Sequence, residues 1–135
     1  MAEMKVEIED NSQKILDEFK KRMPEVLDGV GNELYKSIYN FMTEDKVVDT
    51  GRLRGSISYS TPTKDYSNPT MVNTGNDFIT GNKEENTVAY GSNVEYASYV
   101  NSGTSRQRAR KFIENGTYRA VPQIAKVVET ILKGE

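Results

Sequence analysis

A chain of 135 residues with 36% hydrophobic and 28% charged side chains is long enough to bury one core and has the composition of a folded domain. It contains no Cys and no His, which removes disulfides, thiolate and imidazole metal sites, cysteine nucleophiles and serine triads of the usual build. The formal charge of −2 gives no global excess that would select nucleic acid, and an enzyme would have to work through carboxylates, Lys, Tyr or a cofactor.

No apolar run approaches the roughly 20 residues of a bilayer span, and the acidic start MAEMKVEIED lacks the basic and apolar blocks of a signal peptide. The expectation is no membrane partner and synthesis in a cytoplasm. Charge is uneven along the chain. Residues 1–50 hold 7 basic and 12 acidic side chains (−5), residues 51–100 hold 4 and 5 (−1), and residues 101–135 hold 7 and 3 (+4). An acidic front and a basic tail suit head-to-tail attraction between copies.

In chain order, Phe19, Met23, Val26, Val30, Leu34, Ile38 and Phe41 recur at steps of three and four, one stripe of an amphipathic helix. Asn11 or Ser12 is expected to cap its start, with residues 1–11 flexible, and Pro24 to kink or break it near Met23. Gly29 and Gly31 permit close approach by another backbone, and the rhythm stops near Thr43. Ile57 and Tyr59 then alternate with Ser56, Ser58 and Ser60, a strand with one covered face, and Val88 and Tyr90 mark a second short strand. Between them, residues 62–86 are rich in Asn, Thr, Gly and Pro, with weaker strand candidates at Met71–Val72 and Phe78–Ile79. About 25 residues is long for a structureless connection, so a long hairpin arm is favoured over a mobile loop. Phe112, Tyr118, Val121, Ile124, Val128 and Ile131 fit one face of a final helix, with Gly116 and Pro122 predicting an irregular first half before a regular run from Val121 to Leu132. The sum is a single α+β domain over residues 1–135: long N-terminal helix, small antiparallel sheet, C-terminal helix.

Few segments offer chemistry. TGRLRGS (Thr50–Ser56) lacks the Lys-Ser/Thr of a phosphate loop and leads into a strand. Carboxylate pairs such as Glu84–Glu85 sit in polar surroundings, without the burial that drives pKa values apart. The basic run Arg106, Arg108, Arg110 and Lys111 suits an acidic partner surface or phosphates. Tyr90, Tyr96 and Tyr99 crowd one region, and Tyr suits places where an apolar body meets a wet interface.

Three segments in order carry a resemblance: VDTGRLRGSI (Val48–Ile57), VAYGSNVEYASYVNSGT (Val88–Thr104) and RQRARKFI (Arg106–Ile113) before the last helix. In this the chain resembles the neck, or tail-completion, family of long-tailed double-stranded-DNA bacteriophages, whose members are also labelled minor capsid or head–tail joining proteins. Their pattern is DTG-x-L-x-x-S-I, then G-x-x-YA-x-YVE-x-GT, then an AR-P-F block. Here Asn101 and Ser102 replace the Glu and aromatic, and Lys111 replaces the Pro. The resemblance covers Val26 to the end and implies a structural virion protein at the head–tail junction, present in the host cytoplasm during assembly, with no catalytic residue, metal or cofactor. The partners it implies are copies of itself in a ring, a hexamer by analogy, a head-completion or connector protein, and a tail terminator or tail-tube protein. DNA passes through the lumen as non-specific cargo.

Within the matching segments, Asp49 and Thr50 are expected to satisfy turn amides and Gly51 to adopt a conformation denied to other residues, with Leu53 and Ile57 anchoring the first strand. Tyr96 and Tyr99 would pack a short turn, with Gly103 releasing the chain toward the basic stretch. Partner binding is assigned to Arg106, Arg108, Arg110, Lys111, Tyr96 and Tyr99. The alternative is a small nucleic-acid-binding protein using residues 106–111.

Overall fold

The computed structural model describes residues 2–45, 51–67 and 75–134, with side chains from Gln13 onward. The expected turn residues Asp49 and Thr50 and the strand candidate Met71–Val72 lie outside the described residues.

Helix α1 (Ala2–Glu44) is 43 residues long, about 64 Å at 1.5 Å per residue. It starts well ahead of the cap expected at Asn11 or Ser12, because a capping residue favours a helix start without forbidding continuation. It also passes through Pro24 without a break. Pro24 removes one amide donor and opposes the carbonyl of Lys20, and both residues face solvent, where water takes that carbonyl. The stop is at Glu44, beside the expected Thr43.

After the single turn α2 (Arg52–Gly55), β1 (Ser58–Thr61) pairs antiparallel with β2 (Lys64–Ser67) on one side and β3 (Ala89–Gly91) on the other, giving the order β2-β1-β3. The register sets Tyr59 opposite both Tyr66 and Tyr90. Tyr59 stacks on Tyr66 at 5.2 Å, Tyr66 meets Tyr35 of α1 edge-on at 5.3 Å, and Tyr90 bonds Thr117 at 2.8 Å. Tyr59 also lies on Gly31, where a Cβ would come within 2.3 Å of its ring. What Gly31 admits is therefore an aromatic ring.

The other face of β1 departs from the alternation. Ser58 and Ser60 are fully buried, although their polarity predicts an open face. Residues 75–82 lie across them: the Ile79 amide donates to Ser58 Oγ at 2.8 Å and the Asn82 amide to Ser60 Oγ at 2.9 Å. Asn82 Nδ2 donates further to the carbonyls of Ser60 and Thr87. The hairpin in this region is the short β1–β2 pair, the 3₁₀ turn Gly75–Asp77 follows, and Phe78–Ile79 is not a strand. Both edges of β1 are already paired, so its side-chain hydroxyls satisfy the amides of a loop crossing the face of the sheet.

Helix α3 (Ala97–Ser102) leads to α4 (Phe112–Lys133), which packs along α1. The irregular first half expected for α4 is absent. Gly116 sits at a close approach of the pair, where a Cβ would come within 2.7 Å of Ile38 Cα, and its carbonyl accepts from Ser37 Oγ at 2.6 Å. The buried face runs through Phe112, Gly116 and Ala120, so Tyr118 and Val121, read from the sequence as inward, point to solvent. The core gathers Tyr35, Ile38, Met42, Leu53, Ile57, Tyr59 and Phe112 where α1, α4 and the sheet meet. The fold is α+β, as the periodicities predict.

Candidate assembly surfaces

The chain between α3 and α4 is built to present a tip. Gly103 has φ +80°, and a Cβ there would approach the Ala109 amide nitrogen to 2.7 Å, so the turn requires glycine. Thr104 and Gln107 exchange amide bonds at 2.9 and 3.3 Å, closing a tight loop around Ser105 and Arg106. The returning strand is tied to α3, with the Arg110 amide donating to the Val100 carbonyl and the Lys111 amide to that of Asn101, both at 2.9 Å. Lys111 then takes a left-handed conformation (φ 47°), and Phe112 drops into the core.

This geometry divides the basic run. Arg110 Nε donates to Asp45 Oδ2 at 3.0 Å, and the same guanidinium bonds the Asp45 carbonyl, which fastens the loop to the end of α1. Arg106, Arg108 and Lys111 are exposed, and the side chains of Arg106 and Arg108 have no partner among the described residues. Arg106 and Arg108 are therefore unused by the fold, whereas Arg110 is part of it.

Tyr96 and Tyr99 separate in the same way. Tyr96 is half-buried against the core and carries the Arg52 guanidinium 5.7 Å from its ring centre, while Tyr99 is exposed. Nothing local in the sequence distinguishes Arg52, because its partners lie 25 and 43 residues away. It donates to both carboxylate oxygens of buried Asp77 (3.1 and 2.9 Å) and to both of Glu95 (2.9 Å each). Those bonds raise the Arg52 pKa, and the bond from Arg52 holds the Glu95 carboxyl below its ordinary range. Gly51 takes φ +83° ahead of α2, Leu53 is buried on α2, and Ile57 is buried just before β1. These residues hold the α2–β1 corner.

A second surface lies at the opposite end of the helix pair. Helix α1 overshoots the end of α4, where Arg22 donates to the Ile131 carbonyl at 2.8 Å. Beyond that point Ile15, Leu16 and Phe19 continue the α1 stripe with little to cover them, at 68%, 52% and 43% exposure. A groove of about 430 Å³ opens there between Lys14, Ile15, Glu18, Phe19, Arg22 and Leu132. Among the described residues no group of three metal-ligating side chains converges. The distinctive surfaces are a basic tip and an apolar end.

A family profile described as bacteriophage HK97-gp10, putative tail-component, matches residues 6–103. The chain belongs to that family. The match takes in α1, α2, the sheet and α3, ending at the glycine that opens the basic loop. The resemblance read from the sequence extends further, through Arg106–Ile113 and the last helix, and it starts later, at Val26. No curated protein and no solved structure matches the chain. Membership makes it a bacteriophage tail component associated with the virion.

Proposed function

We propose that the protein works at the head–tail junction, as a neck or tail-completion component that assembles into a ring, a hexamer, by protein–protein contact. One side of the ring meets a head-completion or connector protein and the other a tail terminator or tail tube, while DNA passes through the lumen without being read. The observation that carries this reading is the basic tip: a loop held by a required glycine, reciprocal backbone bonds and a fastened Arg110 exists to hold Arg106 and Arg108 clear of their own fold. A ring of identical subunits needs two different complementary patches on each copy. The acidic first 50 residues and the basic last 35 supply opposite signs.

The test replaces Arg106, Arg108 and Lys111 with Ser in the phage and counts joined and unjoined particles by electron microscopy. Unjoined heads and tails, with the purified variant folded, are the expected outcome. Normal infectious yield would refute the tip's role. Salt-dependent binding of generic DNA by the native chain, abolished in the variant, would favour nucleic-acid binding instead.

A further inference from the structure

Helix α4 has a second apolar face that its own fold leaves mostly exposed, with Val128 half-buried. Tyr118, Val121, Ala125, Val128 and Leu132 follow one another at steps of three, four, three and four, the spacing of a seam between paired helices. Tyr118 is 82% exposed and Val121 56%. At its far end Leu132 reaches the groove lined by Ile15 and Phe19, so the strip continues from α4 onto the overshooting part of α1.

We propose that this strip pairs with the same strip of a second copy, antiparallel about a two-fold axis at Ala125. The spacing is self-complementary: with Ala125 opposite itself, residues equally far on either side of it face each other. Tyr118 then lies over Leu132 of the second copy, and Val121 falls beside its Val128. The small side chain on the axis lets the helices approach, and Tyr118 enters the second copy's groove of about 430 Å³, ample for a phenol ring.

Charge fits the same placement. Residues 13–22, which flank the groove, hold four cations against two carboxylates. Glu114, one turn before Tyr118 on the same face of α4, accepts from Asn101 through one carboxylate oxygen, and the pairing brings that carboxylate to the second copy's exposed Lys14. Tyr118, Val121, Leu132, Ile15 and Phe19, exposed by 37–82%, together present on the order of 600 Å² per copy, the upper end of the largest patch on a typical soluble monomer. Two copies bury roughly 1,200 Å², the lower bound for a specific, stable interface. A two-fold contact closes on itself as a pair, unlike the repeating contact of a ring, so this inference goes beyond the neck reading and stands or falls separately from it. Helix α4 also lies outside the residues matched by the family profile.

The native chain has no Cys, so Ala125→Cys places a single thiol on the proposed axis. Oxidation should give a covalent dimer, whereas Lys83→Cys, on the exposed loop before β3, should stay monomeric under the same conditions. Sedimentation of the wild type over a concentration series should show a monomer–dimer equilibrium, which Tyr118→Glu weakens by about thirtyfold or more. The thermal melt of Tyr118→Glu at monomeric concentration should match that of the wild type, because the side chain is exposed. A wild type that stays monomeric throughout, or a dimer unmoved by Tyr118→Glu, would overturn the pairing. A ring that forms while the Ala125→Cys variant stays unlinked would overturn it and leave the neck reading intact. A wild type that dimerises through this strip and builds no ring at any concentration or with tail partners would support the pairing and count against that reading.

Discussion

Gly31→Ala sets two effects of opposite sign against each other at one atom. In an exposed helix the change would stabilise by about 1 kcal/mol, because alanine loses less backbone entropy than glycine. Here the new Cβ would stand 2.3 Å from Tyr59 Cδ2 and 2.6 Å from two further ring carbons, far inside contact distance. The ring has nowhere to go: it stacks on Tyr66 on one side, and its hydroxyl donates to Asp28 at 2.6 Å. The sheet must lift from α1, an overpacking cost of about 3 kcal/mol. The net is a loss of about 2 kcal/mol, which for a chain of this length lowers the melting temperature by roughly 7 °C. Urea unfolding of Gly31→Ala, Tyr59→Ala and the double variant measures the coupling. With the ring removed, the added methyl should turn from harmful to neutral or helpful. A single variant more stable than wild type would refute the account of why glycine is there.

Burial, reinforced by the bond to Asp28, pushes the Tyr59 hydroxyl well above the usual tyrosine range. Its contribution is therefore intact below pH 10.0, the ordinary value, and is lost as pH rises beyond it, since only the unfolded chain ionises readily there. Urea midpoints from pH 8 to 11 should fall, and Tyr59→Phe should flatten the decline. Glu95 works in the opposite direction: its depressed carboxyl stabilises above the ordinary value of 4.5, and that help disappears as acid protonates it, so Glu95→Gln should reduce the loss of stability on acidification. Asn82→Ala removes the donor that joins the Ser60 and Thr87 carbonyls and should cost about 2 kcal/mol, with faster hydrogen exchange at the Ile79 amide as the local readout. Arg110→Ser should cost about 1–2 kcal/mol by cutting the loop from Asp45, whereas Arg106→Ser and Arg108→Ser should each stay within about 0.5 kcal/mol of wild type by thermal melt.

Periodicity carried the architecture because each long element buries one face for most of its length. In the α1 stripe Val26, Leu34, Ile38 and Phe41 are buried and Met23 and Val30 half-buried, while its first member, Phe19, is 43% exposed beside the end of α4. Where the sequence reading departed from the structure, a tertiary contact had reversed the local meaning of a residue. Gly116 looks like a weak point in a helix until Ile38 occupies the space its missing side chain leaves. Ser58 and Ser60 look solvent-facing until a distant loop supplies amide donors for their hydroxyls. Arg52 looks like one more charge in a glycine-bounded run, and nothing local announces that Asp77 and Glu95 will close on it.

The basic run is the instructive intermediate case. Its composition marks out a segment, but four similar cations in six residues give no means of separating the fastening Arg110 from the presented Arg106 and Arg108. The separation comes from direction. Once the Gly103 turn and the Thr104–Gln107 pair fix the loop, Arg110 faces the carboxylate at the end of α1 while Arg106 sits at the tip. The outer face of α4 poses the same problem in apolar form. From the sequence Tyr118 and Val121 fall in with Phe112, Ile124 and Ile131 on a single face, because a helix with apolar residues on two faces has no single inward direction. Only the position of α1, set by Gly116 and Gly29, decides which face is spent on the fold. The other remains free to meet a second molecule.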